Sequence, residues 1–454
     1  MRRSMLLVVF LALAAAIALG VRADGVVSAD SSRVTVQDAK AESKFPDGIL
    51  FQLKVSSPAD VKNITVRFSI VGGKVPRYDY LPAPDASTGV SEVMVRTGSD
   101  RYIPPGVLMD YYFEIEDTSG NVVKSDPKRF VLDDPRFTWH EIKQGDVNIR
   151  YYGPIQRRAE TVVEAVNVTI DRIGKKLFGL AEVSPVRLTL YNNWNDMVTA
   201  LPLTSRTQRG ELITEGTTFS NFGIILLLAD DAQVRGLASH EMIHFLVDDV
   251  MGGLSQAIPV WMNEGLAEYG NLEPSQVYEQ YLSLAIVRGT LKPLTSLTQM
   301  PGRSEDVIVV YGLGRSVMEY LIEREPNGAE KLRTLFRLLR GGQGMDSALT
   351  QAYGFDRFGL DQRWRKTIGA PLLPEDVTKT DLPKSQTVTA APLPFPQATT
   401  SQPQAPSSAE SDKPRRAGGG GACSRSEGAA ADVGMWLGLA GALALVAVRR
   451  RWRG

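Results

Sequence analysis

Between Val34 and about Leu132 the apolar residues fall on every second position, and past Pro135 they no longer do. That change of period restricts the chain to two kinds of architecture in series. Ile64, Val66, Phe68 and Ile70 alternate with Thr65, Arg67 and Ser69, and Met109, Tyr111, Phe113 and Ile115 alternate with Asp110, Tyr112, Glu114 and Glu116. A period of two puts one set on each face of a strand. Gly72-Gly73, Pro104-Pro105 and the run 117–121 punctuate these stretches as turns. Short alternating strands at this spacing predict an antiparallel β-sandwich of roughly 100 residues. After Pro135 strands are predicted at 147–152, 186–191 and 223–228. A helix is predicted over 155–178, with Val162, Val166, Ile170, Ile173 and Leu177 on one stripe. A second helix over 232–250 stops at Gly252-Gly253, and from 274 to 367 nearly everything reads as helix.

The ends carry signals of another kind. Arg2 and Arg3 precede an apolar run over 5–19, and Val21 and Ala23 flank a cleavage position, so 1–23 reads as a secretory signal peptide. An uncleaved anchor helix is the alternative. At the other end 429–448 is a membrane-spanning candidate, followed by a basic tail over 449–454 that places the body of the protein outside the cytoplasmic membrane. Gly418 to Gly421, Cys423, the apolar run and the arginines also resemble bacterial sorting signals of the rhombosortase or myxosortase kind, which implies a tail that is removed. The linker 373–428 is rich in Pro, Ser and Gly, with little to bury. This leaves a β-sandwich over 24–135 and a second domain over 136–372. The stretch 111–121 (YYFEIEDTSGN) resembles a late strand and turn of fibronectin type III and bacterial immunoglobulin-like domains, whose ligand the sequence does not specify.

Composition excludes some functions. Lys plus Arg and Asp plus Glu both number 51, so nothing points to nucleic acid. Cys423 is the only cysteine, so no intrachain disulfide can form, and a metal would have to be held by histidines and carboxylates.

Two of the three histidines fall in Ser239-His240-Glu241-Met242-Ile243-His244. Residues four apart on a helix share a face, so both imidazoles can give a nitrogen to one Zn²⁺. Glu241 can then take a proton from water without being a ligand. The surrounding ASHEMIHFLVDDVMGG is apolar, and two histidines and a glutamate buried there would be costly without a partner. A catalytic zinc needs a third protein ligand and an open fourth position. Glu264, in VWMNEGLAEYG, lies twenty residues beyond His244, with Gly252, Gly253 and Pro259 between them to turn the chain.

HEMIH followed by VWMNEGLAEYG resembles the peptidase MA clan, the gluzincins, over roughly 140–370. The nearest likeness is to bacterial peptidase-MA-like domains, distantly similar to the aminopeptidase N and thermolysin families. The resemblance implies an α+β zincin-like domain with a helical C-terminal half and one zinc ion on His240, His244 and Glu264. It makes Glu241 the general base and Glu268 a carboxylate orienting a ligand histidine. Val310-Tyr311-Gly312-Leu313-Gly314-Arg315-Ser316, read as the opening of a helix, resembles the segment whose tyrosine stabilises the tetrahedral intermediate. That makes Tyr311 the oxyanion candidate. Arg315 is either a substrate contact or a structural cation. The strand at 223–228 is either a substrate-pairing sheet edge or a core strand. His140 reads as structural. No Gly-x-Met-Glu-Asn segment precedes the histidine motif, which weakens an aminopeptidase reading. The expected activity is zinc-dependent hydrolysis of peptide or protein substrates outside the cytoplasmic membrane. The rivals are a catalytically inactive surface scaffold acting through the sandwich and a zinc hydrolase of a non-peptide bond.

Overall fold

The computed structural model describes residues 34–374 apart from 74, 99–100, 203–215 and 230–232. The expected signal peptide, the linker beyond 374, the C-terminal membrane segment and the basic tail lie outside the described residues. Among the described residues no helix is long and apolar enough to cross a membrane.

The alternating stretches form strands. They are β1 (Val36–Lys44), β2 (Gly48–Val55), β3 (Val61–Ile70), β4 (Arg77–Leu81), β5 (Val90–Arg96), β6 (Val107–Asp117), β7 (Val122–Lys124) and β8 (Lys128–Leu132). Two antiparallel sheets result, one ordered β1-β2-β5 and the other β4-β3-β6-β7, with β8 also on β6. Ile64, Val66, Met109, Phe113 and Ile115 are buried, as the alternation predicts. Phe51 of the first sheet meets Phe68 and Tyr111 of the second at 5.3 and 5.5 Å between ring centroids, so the sheets pack face to face.

Past Pro135 a five-stranded mixed sheet is ordered β12-β13-β11-β10-β9. Its strands are β9 (His140–Gln144), β10 (Val147–Tyr151), β11 (Val186–Tyr191), β12 (Gly216–Phe219) and β13 (Ile224–Leu228). The core strands β10, β11 and β13 are parallel, and β9 and β12 run antiparallel at the two margins. The strand at 224–228 is therefore an interior strand, and the alternative of a substrate-pairing edge is corrected. The margin beside it, among the described residues, is β12, a four-residue strand too short to show a period in sequence.

Helix α1 (Gln156–Thr169) widens to a π-helical turn over Ile170–Leu177 and buries the predicted stripe. After α2 (Trp194–Val198) come α3 (Val234–Met251), α4 (Val260–Gly270), α5 (Gln276–Val287) and α6 (Ser304–Glu319). The series ends with α7 (Gly328–Arg340), α8 (Met345–Tyr353) and α9 (Arg357–Thr367). Helix α3 ends on Gly252 in the left-handed conformation, φ 66°, where a side chain would be strained.

Both faces of the mixed sheet are covered, by different partners. Ile225 and Leu227 of β13 join the helical core, whereas Ile224, Leu226 and Leu228 join the core of the N-terminal sheets, together with Tyr191 and Phe219. Alternation along the strand thus divides its side chains between two layers, which explains an unbroken Ile-Ile-Leu-Leu-Leu run. The layers are also bonded. The Tyr191 hydroxyl reaches Asp134 Oδ2 at 3.2 Å, Arg150 pairs with Asp133, and the Tyr102 hydroxyl donates to the Ala200 carbonyl.

Candidate metal centre

Helix α3 carries His240 and His244 one turn apart, and α4 crosses it after the Gly252-Gly253 turn. The helices meet so that His240 Nε2 and His244 Nε2 lie 3.1 Å apart. Glu264 Oε2 is 3.5 Å from the first and 3.4 Å from the second. The three side chains are buried and can each offer one atom to a single ion.

The hydrogen-bond partners of the imidazoles fix which nitrogen faces inward. His240 Nδ1 is 2.7 Å from Glu268 Oε1, and an ionised carboxylate only accepts, so Nδ1 carries the hydrogen. His244 Nδ1 faces Asn263 Oδ1 at 3.3 Å, again an acceptor. Both Nε2 lone pairs therefore point at each other and at Glu264, a carboxylate with 0% exposure whose two oxygens have no hydrogen-bond partner. Lone pairs converging in a buried site need a positive charge between them. Zinc at about 2.0–2.1 Å from each ligand in tetrahedral geometry would set the ligand atoms roughly 3.3–3.4 Å apart. The separations found, 3.1, 3.4 and 3.5 Å, match, so the residues fit the metal.

The protonation of the cluster follows the same logic. Burial works against a charged His240, but the neighbouring Glu264 and Glu268 carboxylates outweigh it and hold its pKa well above the ordinary value. Burial likewise pushes Glu264 upward, and the two imidazoles more than reverse this, to about 2.

Glu241, next to His240 on the helix, is 2% exposed, and burial raises its pKa against the pull of both imidazoles. Its Oε2 lies 2.7 Å from the Thr218 hydroxyl of β12. Tyr311 is fully buried, its ring centroid is 6.0 Å from that of His240, and its hydroxyl has no partner. Burial, and then the negative charge of Glu264, push this phenol well above 10, so it keeps its hydrogen and can donate it. It sits in the middle of α6, not at the opening of a helix, which begins seven residues earlier at Ser304. Three glycines allow α6 this close: a Cβ on Gly265 would strike the Gly314 backbone, and one on Gly312 or Gly314 would strike the carbonyl of Tyr278 or Trp261. Tyr278 in turn stacks on Tyr311 at 5.2 Å and 21°.

The six residues given metal-binding, base, orienting or oxyanion roles in the sequence thus lie in or against one cluster. Two others belong to it that sequence reasoning gave no role, Asn263 and Thr218. Asn263 stood in the Asn-Glu-Gly motif, directly before a ligand candidate; Thr218 gave no signal. Arg315 pairs with Glu279 of α5 at 3.0 Å. His140 is exposed on β9, with its ring near Tyr151 at 5.4 Å.

A buried His-His-Glu set on two crossing helices, with a carboxylate and a phenol beside it and a mixed sheet behind, defines a metallohydrolase type of centre. Residues 167–370 match the family model described as Peptidase MA superfamily, so the chain carries a peptidase MA superfamily domain, of zinc-metallopeptidase type. Among solved structures, that of native yeast LTA4 hydrolase aligns with 13% identity and a TM-score of 0.33, over 72% of this chain and 65% of that one. This chain therefore spans just under two thirds of that protein. No curated protein sequence matches the chain.

Proposed function

We propose that the protein is a zinc-dependent peptidase that hydrolyses peptide bonds outside the cytoplasmic membrane. In this reading the chain is exported by its N-terminal segment and tethered by its C-terminal one, and the N-terminal sheets are an immunoglobulin- or fibronectin-III-like sandwich. The observation that carries the catalytic reading is the convergence of two imidazole lone pairs and an unpartnered carboxylate, fully buried, at the edge lengths of a tetrahedron.

One zinc ion held by His240, His244 and Glu264 would supply Lewis acidity to a peptide carbonyl and acidify water. The chain's own groups do the rest. Glu241 takes a proton as water attacks and passes it to the leaving amine. Its raised pKa suits an acceptor that must later give the proton back. The Tyr311 phenol donates to the oxygen on which charge develops. Glu268 and Asn263 keep both imidazoles in the tautomer that binds metal.

Metal analysis of the purified protein and digestion of casein test this. About one zinc per chain is expected, with cleavage abolished by a chelator. Glu241→Gln should keep the zinc and lose activity by about 10²–10⁴-fold, the usual worth of a general base. Undiminished cleavage by Glu241→Gln would remove the base from the mechanism, and a protein without bound metal would remove the enzyme.

A further inference from the structure

We propose that Thr218, on the marginal strand β12, is the positioning residue that holds the Glu241 carboxylate in place for proton transfer; this rests on the reading of Glu241 as the base. The Thr218 hydroxyl lies 2.7 Å from Glu241 Oε2 and 2.9 Å from the Glu241 main-chain oxygen. A hydroxyl has one hydrogen to give and two lone pairs to offer. With the carboxylate ionised, that hydrogen goes to Oε2.

A second feature of the same strand points the same way. Gly216, two residues earlier and so on the same face, presses against the same side chain. A Cβ built there would stand 2.6 Å from Glu241 Cγ and 2.7 Å from Oε1. The carboxyl group is thus caught at two points, by a hydroxyl on one oxygen and bare backbone beside the other. A glutamate has three side-chain torsions to fix, and a base displaced by 1 Å can cost 10²-fold in rate. The strand can serve as a rigid stop because it is itself held. Its partner β13 pairs with it from Gly216 to Phe219, and on the opposite face Phe219 meets the Tyr102 ring at 5.6 Å.

The experiment compares Thr218→Val, which keeps shape and removes the hydroxyl, with Thr218→Ser, which keeps the hydroxyl, in the full-length protein. Zinc content, kcat and KM on casein are measured, and crystal structures of both variants are determined. Thr218→Val should lower kcat about 10- to 100-fold at unchanged KM and zinc content, with the Glu241 carboxylate turned away from β12, and Thr218→Ser should recover most of the loss. Gly216→Ala, which forces the same carboxylate out by contact, should reproduce the kcat defect if Thr218→Val does not fold. A Glu241 carboxylate left in place by Thr218→Val, with kcat intact, would overturn the proposal. If the wild type cleaves no casein, the peptidase reading fails by itself, and the position of Glu241 in the two variant structures still decides whether Thr218 holds it.

Discussion

Glu264 has both oxygens buried and neither one bonded, an arrangement a folded protein keeps only when a cation is meant to meet it. Its removal should therefore act on metal retention first. Glu264→Ala or His240→Ala is expected to leave less than a tenth of the wild-type zinc after dialysis, read by metal analysis. Asn263→Ala should act less severely, because it frees the His244 ring without removing a ligand. A drop in zinc affinity of about 10–100-fold is expected by titration against a chromogenic chelator, and an unchanged affinity would mean that the 3.3 Å contact does not orient the ring. The two histidines of the proposed ligand set were legible in the sequence because a helix converts i, i+4 into a shared face, and scarcity of histidine made coincidence costly. Glu268 and Tyr311 came through the resemblance alone. Thr218 was not legible at all: its partner is 23 residues away, and a threonine in a short strand has no periodicity to betray it.

Between elements, the contact that sets the site's depth is the crossing of α4 and α6 at Gly265 and Gly314. A methyl on Gly314 would meet the Trp261 carbonyl and part the two helices, carrying Tyr311 away from the cluster. Gly314→Ala should cost about 1–3 kcal/mol, the usual range for overpacking, seen as a lower denaturation midpoint in urea, and should reduce kcat more than zinc content. A different element pair answers to pH. Arg357 of α9 hydrogen-bonds Asp346 of α8 at 2.7 Å with both carboxylate oxygens engaged, and this holds the Asp346 pKa below its ordinary value despite partial burial. A depressed carboxylate pKa stabilises the fold above the unfolded value, about 3.9, and the contribution disappears as pH falls through the folded value. The stability gap between wild type and Asp346→Asn should therefore be present at pH 7 and close below pH about 4, in denaturation curves taken across that range; a gap that persisted in acid would assign it to packing. At this scale the strands at 147–151, 186–191 and 224–228 and the helices around them were readable from apolar period. The start of α6 was not, because its first turn, Ser-Glu-Asp, is polar and follows Pro301-Gly302, which reads as loop.

For the molecule as a whole, the change of period at Pro135 marks a change of architecture but not a break between cores. Tyr191, Phe219, Ile224, Leu226 and Leu228 of the mixed sheet are buried in the same cluster as Phe51, Ile103, Val107 and Phe113 of the N-terminal sheets. Sequence could not show this, since alternation tells which residues are buried and not which layer buries them. The consequence is quantitative. Five large apolar side chains lose their cover if the N-terminal sheets are removed, at about 2 kcal/mol each, or about 10 kcal/mol together. A whole domain is stable by only about 5–15 kcal/mol, so the loss would consume most or all of the margin. Residues 136–374 expressed alone should therefore be insoluble or unfolded by circular dichroism, and should neither retain zinc nor cleave casein, although every ligand and the base are present. A milder form of the same test keeps the chain whole. Tyr102→Ala removes the ring against Phe219 and the hydroxyl bond to Ala200, and so loosens β12 from behind. Its activity should fall while its zinc content holds, because the proposed ligands stand on α3 and α4 and only the strand beside Glu241 is released. If the fragment 136–374 instead folds and cleaves casein at the full rate, the N-terminal sheets are a separate module, and some task other than bracing the catalytic sheet must account for them.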